Sequence, residues 1–211
     1  AQTHQGQPPQ SKIAFYPTTT TEYRQTMKLW LLNILACPID KHHPLEAYIF
    51  RWETGVDEIK QLRTGTSQSS DELKKKHRQL AKQLTDGTIS PPAIGKIVDK
   101  SGVQDAADML ATAMDKITQL EGEETEEKLL KDHADDLDTI HRYLNMMEVD
   151  AGLLVCPECG RWYPIGSAVE TIPEMLPDDL REQDRDLIWL EEWRQHVPEH
   201  VIKNGKPYNL S

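Results

Sequence analysis

The run Cys156-Pro-Glu-Cys159-Gly160-Arg-Trp-Tyr163 constrains this chain more than any other part of it. Two thiols three residues apart project from one tight turn, and Gly160 permits the positive φ that returns the backbone into an aromatic strand. That is the shape of a metal knuckle. The redox use of Cys-x-x-Cys opens a helix within a βαβ unit. A strand pattern, Trp162–Ile165, follows here, so metal is favoured over redox chemistry. The third and last cysteine is Cys37. An odd count, behind opening residues without the basic-then-apolar plan of a secretion signal, argues against a disulfide framework and leads to the expectation of a soluble, cytoplasmic protein.

A tetrahedral site needs two more ligands. Cys37-Pro-Ile-Asp-Lys-His42 offers a Cys-x4-His pair, so the expected set is Cys37, His42, Cys156 and Cys159. His43 competes with His42, and Asp40 is a third option. Three thiolates and one imidazole around Zn2+ leave no open position for water, which makes such a site structural. The bland reading of Cys37, a core cysteine after an apolar run, leaves only two ligands, too few to hold zinc. More than a hundred residues separate the two halves, so the metal would join the start and end of one small β-domain across an insertion.

The patterning agrees. Residues 1–26 are rich in Gln, Thr and Pro without periodicity and read as a tail or extension, with Met27 the expected natural start and Lys12–Tyr16 a possible added strand. Leu29–Leu35 is too densely apolar for an exposed helix and suits a strand ending in a helical turn, while Leu45–Trp52 reads as a second strand. The middle is helical. A capping box at Ser69-x-x-Glu72 precedes apolar spacing to Leu84, Pro91-Pro92 begins a short helix, and Gln104–Leu120 and Glu123–Met147 each carry an apolar face. Gly152–Cys156 and Trp162–Ile165 flank the knuckle as strands, and Pro177 starts a helix running to about Gln195 with Trp189 and Trp193 on it. The expected fold is therefore α+β, a small antiparallel zinc-knuckle domain (27–53 with 151–177) around an inserted helical bundle (54–150), followed by a C-terminal helix and tail (178–211).

Charge narrows function. A net charge of −11 opposes sequence-independent binding to nucleic acid. The cluster Lys74–Lys82 is a local basic exception that reads first as a solvated helix face. No H-x-E, H-E-x-x-H or Gly-rich loop after a strand is present, so neither a hydrolytic metal centre nor a cradle for a nucleotide or S-adenosylmethionine is evident. A stand-alone enzyme is not expected. The rival reading, a zinc-ribbon nucleic-acid-binding module, calls for basic residues around the knuckle, where only Arg161 lies close and Glu158 sits inside the turn.

The opening MKLWLLNILACP and the closing VCPECGRWYPI with IPEMLP resemble the small zinc-binding activator subunits shared by tRNA, ribosomal RNA and release-factor methyltransferases, in an archaeal-type form with an enlarged middle. The resemblance places Cys37, His42, Cys156 and Cys159 on the metal positions. It places Ile172, Pro173, Met175 and Leu176 on a partner-binding motif, and part of the opening run around Trp30 and Asn33 is expected to extend that surface. Glu174 stands where Asn is usual, and Thr171 where Gly is. The resemblance implies a non-catalytic subunit with structural Zn2+, forming a heterodimer with class I methyltransferases. The partner binds S-adenosylmethionine, RNA or release factor is reached only through that partner, and no membrane is involved.

Overall fold

The computed structural model describes residues 27–65, 67–68, 70–122, 125–167 and 173–211. Ile172, Ser69 and the stretch Lys12–Tyr16 lie outside them.

Five strands form one mixed sheet: β1 (Met27–Lys28), β2 (Glu46–Trp52), β3 (Ile97–Asp99), β4 (Glu148–Val155) and β5 (Trp162–Ile165). β4 is central. Antiparallel β2 lies on one side of it, and β1 and β5 share the other side, one after the other. β3 pairs parallel to β2 at the outer edge. β1, β2, β4 and β5 come from the two stretches that flank most of the helices, as expected of an α+β chain, but β3 comes from within the stretch expected to be helical, and its parallel pairing makes the sheet mixed rather than antiparallel.

β4 is buried on both faces, which is why it reads as the continuous apolar run Gly152–Val155. Leu154, Ala47 and Ile49 face the larger core with Tyr163 and Ile165, while Leu153, Val155, Phe50 and Trp162 face a second one. Helices α1 (Val56–Thr64), α2 (Asp71–Thr85), α4 (Gln104–Leu120), α5 (Glu126–Asp132) and α6 (Ala134–His141) feed the larger core, with α4 against α1 and α6, and α2 against α5 and α6. Pro91 and Pro92 open the short α3 (Pro91–Ile94) that leads into β3. The second core is closed by α7 (Gln183–Glu192) and α8 (Glu199–Asn204), whose Trp189, Leu190 and Val201 cover the far face of the sheet.

Several local expectations are corrected. Only Met27 and Lys28 pair as a strand, and Leu29–Asn33 winds into a 3-10 helix. That helix repeats every three residues, so Leu29 and Leu32 both reach the core. The N-cap of α2 is Ser70, whose Oγ accepts the Leu73 N–H at 3.1 Å. The segment after Thr125 is broken at His133, whose ring sits 3.1 Å from the Asp136 carboxylate, and ends in a π segment, Arg142–Met146. The helix expected from Pro177 to about Gln195 is interrupted at Arg181, which is extended and buried. Arg181 pairs with Asp186 at 2.7 Å, donates to the Trp162 carbonyl at 2.7 Å and lies 4.5 Å over the Trp162 ring. These bonds need a side chain turned inward, which a continuous helix there would not supply. No helix of the described residues is long and apolar enough to cross a membrane.

Candidate metal centre

Two turns of the same construction meet at one end of the sheet. In the second, the Cys156 N–H donates to the Arg161 carbonyl at 2.8 Å and the Gly160 N–H donates to Cys156 at 2.9 Å, with Gly160 at φ +72°. In the first, the Cys37 N–H donates to the His42 carbonyl at 3.0 Å and the Lys41 N–H donates to Cys37 at 2.9 Å. Lys41 takes φ +63°, a conformation uncommon for a residue with a Cβ. The Lys41 ammonium donates to the Pro38 carbonyl at 2.7 Å across the same turn. Cys-Pro-Ile-Asp-Lys is therefore the structural counterpart of Cys-Pro-Glu-Cys-Gly, and Asp40 occupies the place that Cys159 holds in the other turn.

The four side chains at these matched positions converge. Ligand atoms of Cys37, Asp40, Cys156 and Cys159 all lie within 4.8 Å of one another. Cys37 Sγ is 3.7 Å from Cys159 Sγ, and Cys156 Sγ is 3.4 Å from Asp40 Oδ2. Zinc bonds of about 2.3 Å to sulfur make a tetrahedron with sulfur–sulfur edges of about 3.8 Å, so the spacing suits a metal of that kind. The donor chemistry suits it equally: three thiols and one carboxylate, with Cys37 and Cys156 buried and Asp40 open to solvent. Four such donors close a tetrahedral shell, which leaves no place for a reacting water.

His42 is not in this group. It contributes its carbonyl to the first turn, and its N–H donates to Asp40 Oδ1 at 3.0 Å. The ring of His43 is engaged elsewhere, with Nδ1 3.0 Å from the Leu35 carbonyl. The N–H of His42, ahead of the neighbouring thiols, holds the Asp40 carboxyl well below the usual carboxylate range. Burial pushes the Cys156 thiol up to about 12. A dication held by these four donors would supply the charge that stabilises such a thiolate. Around the cluster, the Tyr163 hydroxyl lies 3.2 Å from Cys37 Sγ, and burial, followed by that contact, raises its pKa. Arg161 is held on Asp178 by contacts of 2.8 to 3.1 Å, which pins the second turn to the C-terminal segment. Tyr163 belongs to the knuckle run in the sequence, but its contact with Cys37 is not legible there, and Asp178 carries no signal of its pairing with Arg161. Asp40 stands out once Cys-Pro-Ile-Asp is set beside Cys-Pro-Glu-Cys.

The remaining positions of interest lie along the sheet's margin. Trp30 is half-buried against the larger core, and Asn33 is buried, donating to the Trp30 carbonyl at 3.2 Å while its Oδ1 has no hydrogen-bond partner among the described residues. Pro173 is buried, and Met175 and Leu176 are half-buried. The Glu174 N–H donates to the Pro164 carbonyl at 3.1 Å, so this segment runs beside β5. Trp189 and Trp193 are absorbed by the chain's own core, stacked with Phe50 at centroid distances of 5.9 and 5.4 Å.

Fold and cluster together define a class: a small α+β protein whose sheet carries a two-turn group of four donors that could hold a metal ion. The model of the Trm112p-like protein family matches residues 28–166, well over half of the chain, and the chain belongs to that family. Among curated proteins, none matches it. At family level this supports a methyltransferase activator subunit.

Proposed function

We propose that this chain is a non-catalytic subunit that binds and stabilises class I, S-adenosylmethionine-dependent methyltransferases modifying tRNA, ribosomal RNA or a translation release factor. Family membership over residues 28–166 carries the reading. The cluster supports it: a closed set of Cys37, Asp40, Cys156 and Cys159 holding Zn2+ ties the first turn to the second and contributes stability rather than chemistry. His42, expected as the fourth ligand, serves the turn through its backbone instead.

The partner surface in this reading comprises Trp30, Asn33, Ile172, Pro173, Met175 and Leu176. Pro173 has no N–H to donate, which confines pairing at that point to an edge. Met175 packs on the core with part of its surface still open, and a thioether adapts to differently shaped partners. The zinc-ribbon alternative is disfavoured by charge, since Glu158 occupies the turn and Arg161 is already held by Asp178.

Affinity capture of the tagged full chain, followed by mass spectrometry, tests the proposal. A methyltransferase should co-purify with the native chain and be lost with Met175→Asp, while zinc content and helical signal stay unchanged. Capture of no methyltransferase by the native chain refutes the assignment. Undiminished capture by the variant moves the interface elsewhere.

A further inference from the structure

We infer that the outer face of α2 is a contact for the sugar–phosphate backbone of RNA; this rests on the activator reading for the choice of RNA over DNA. Lys75, Arg78 and Lys82 fall at i, i+3 and i+7, on one face of the helix, and all three are exposed. Successive cations along that stripe are about 4.5 and 6 Å apart in axial rise, a spacing suited to adjacent phosphates of one strand. Lys74 flanks the stripe, paired among the described residues with exposed Asp71 at 3.4 Å. Lys75, Arg78 and Lys82 make no ion pair with a described residue, in contrast to Lys116 on Asp136 at 2.9 Å and Arg161 on Asp178 at 2.8 Å.

Acidic groups border the stripe: Asp71 and Glu72 occupy the first turn of α2, and Asp135 and Asp138 line a cavity with Lys74 and Arg78 on the side where α2 packs against α6. Asp86 lies in the field of Lys82, and Glu126 and Glu127 share a surface cavity with Arg78.

Chemistry separates an RNA from an acidic protein partner. A protein interface is centred on apolar or aromatic anchors. Among the described residues the exposed large apolar side chains are Ile34, Ile39, Val56, Met114, Met146, Leu180 and Ile188, and none lies on α2. Gln79, exposed beside the stripe, instead offers an amide suited to sugar and phosphate oxygens.

The test is fluorescence anisotropy of a labelled tRNA transcript with the full chain alone, so that it does not depend on any methyltransferase. The chain should bind with a Kd in the micromolar range and weaken roughly 20- to 40-fold between 50 and 200 mM salt, as three phosphate contacts require. Lys75→Ala with Arg78→Ala and Lys82→Ala should weaken binding at least tenfold and flatten the salt dependence. Lys60→Ala with Lys100→Ala and Lys203→Ala, an equal charge change at other exposed positions, should leave binding within about twofold. Equal binding by the first variant, equal loss in the second, no binding at 50 mM salt, or equally tight binding of poly-L-glutamate each overturns the inference. Because all six side chains are exposed, circular dichroism should be unchanged in both variants. Loss of methyltransferase capture with tRNA binding intact would count against the activator reading alone.

Discussion

Asp40→Ala and His42→Ala separate the two possible fourth ligands. Structural zinc is held by about 10–16 kcal/mol, so one of four donors accounts for about 3–4 kcal/mol, or a 10²- to 10³-fold weaker Kd on its removal. Asp40 lies 3.4 Å from Cys156 Sγ within the cluster, whereas His42 enters the turn through its N–H and carbonyl, which alanine retains. Competition against a chromogenic zinc chelator should therefore show the full loss for Asp40→Ala and a change within about threefold for His42→Ala. Asp40→Cys should restore binding, because that position matches Cys159 in the partner turn. A silent Asp40→Ala combined with a 10²-fold loss in His42→Ala would refute the two-turn equivalence.

Two further outcomes concern the scaffold. Trp189 is 5% exposed and stacks between Phe50 at 5.9 Å and Trp162 at 6.1 Å. Trp189→Ala should cost about 3–5 kcal/mol, lowering Tm by on the order of 10 °C; an unchanged melting curve would mean that the C-terminal helices are not part of the folded core. Burial first, then the nearby charge of His77, pushes His141 down to about 4. The native imidazole then stays neutral while the unfolded one takes a proton below about 6.5, so stability is complete above that pH and falls as pH drops toward 4. Thermal melts at fixed zinc occupancy should show this slope, and His141→Asn should reduce it.

Elements whose signals are local and strong were legible in the sequence. The bounds of α4 coincide with its apolar periodicity, β2 and β5 with their aromatic and β-branched runs, and the second turn with Cys-Pro-Glu-Cys-Gly. Those set by tertiary packing were not. α1 has only Ile59 and Leu62 to bury, β3 is three residues long and exists through pairing with β2, and the kink at Arg181 answers a carbonyl and a ring far along the chain. The candidate site was legible as three cysteines and an unsettled fourth donor. Spacing alone does not tell which of Asp40, His42 and His43 faces the thiols. The turn's hydrogen bonds decide that, through the positive φ at Lys41.

In the proposed function this chain makes a methyltransferase competent without performing the reaction. The most direct test is methyl transfer from tritiated S-adenosylmethionine by a co-purifying methyltransferase, alone and with this chain, alongside calorimetry of cofactor binding by each. No cofactor binding is expected of this chain alone and little cofactor binding or activity of the isolated enzyme, with both restored in the heterodimer. Micromolar binding of S-adenosylmethionine to this chain by itself, or full activity of the enzyme without it, would contradict the account.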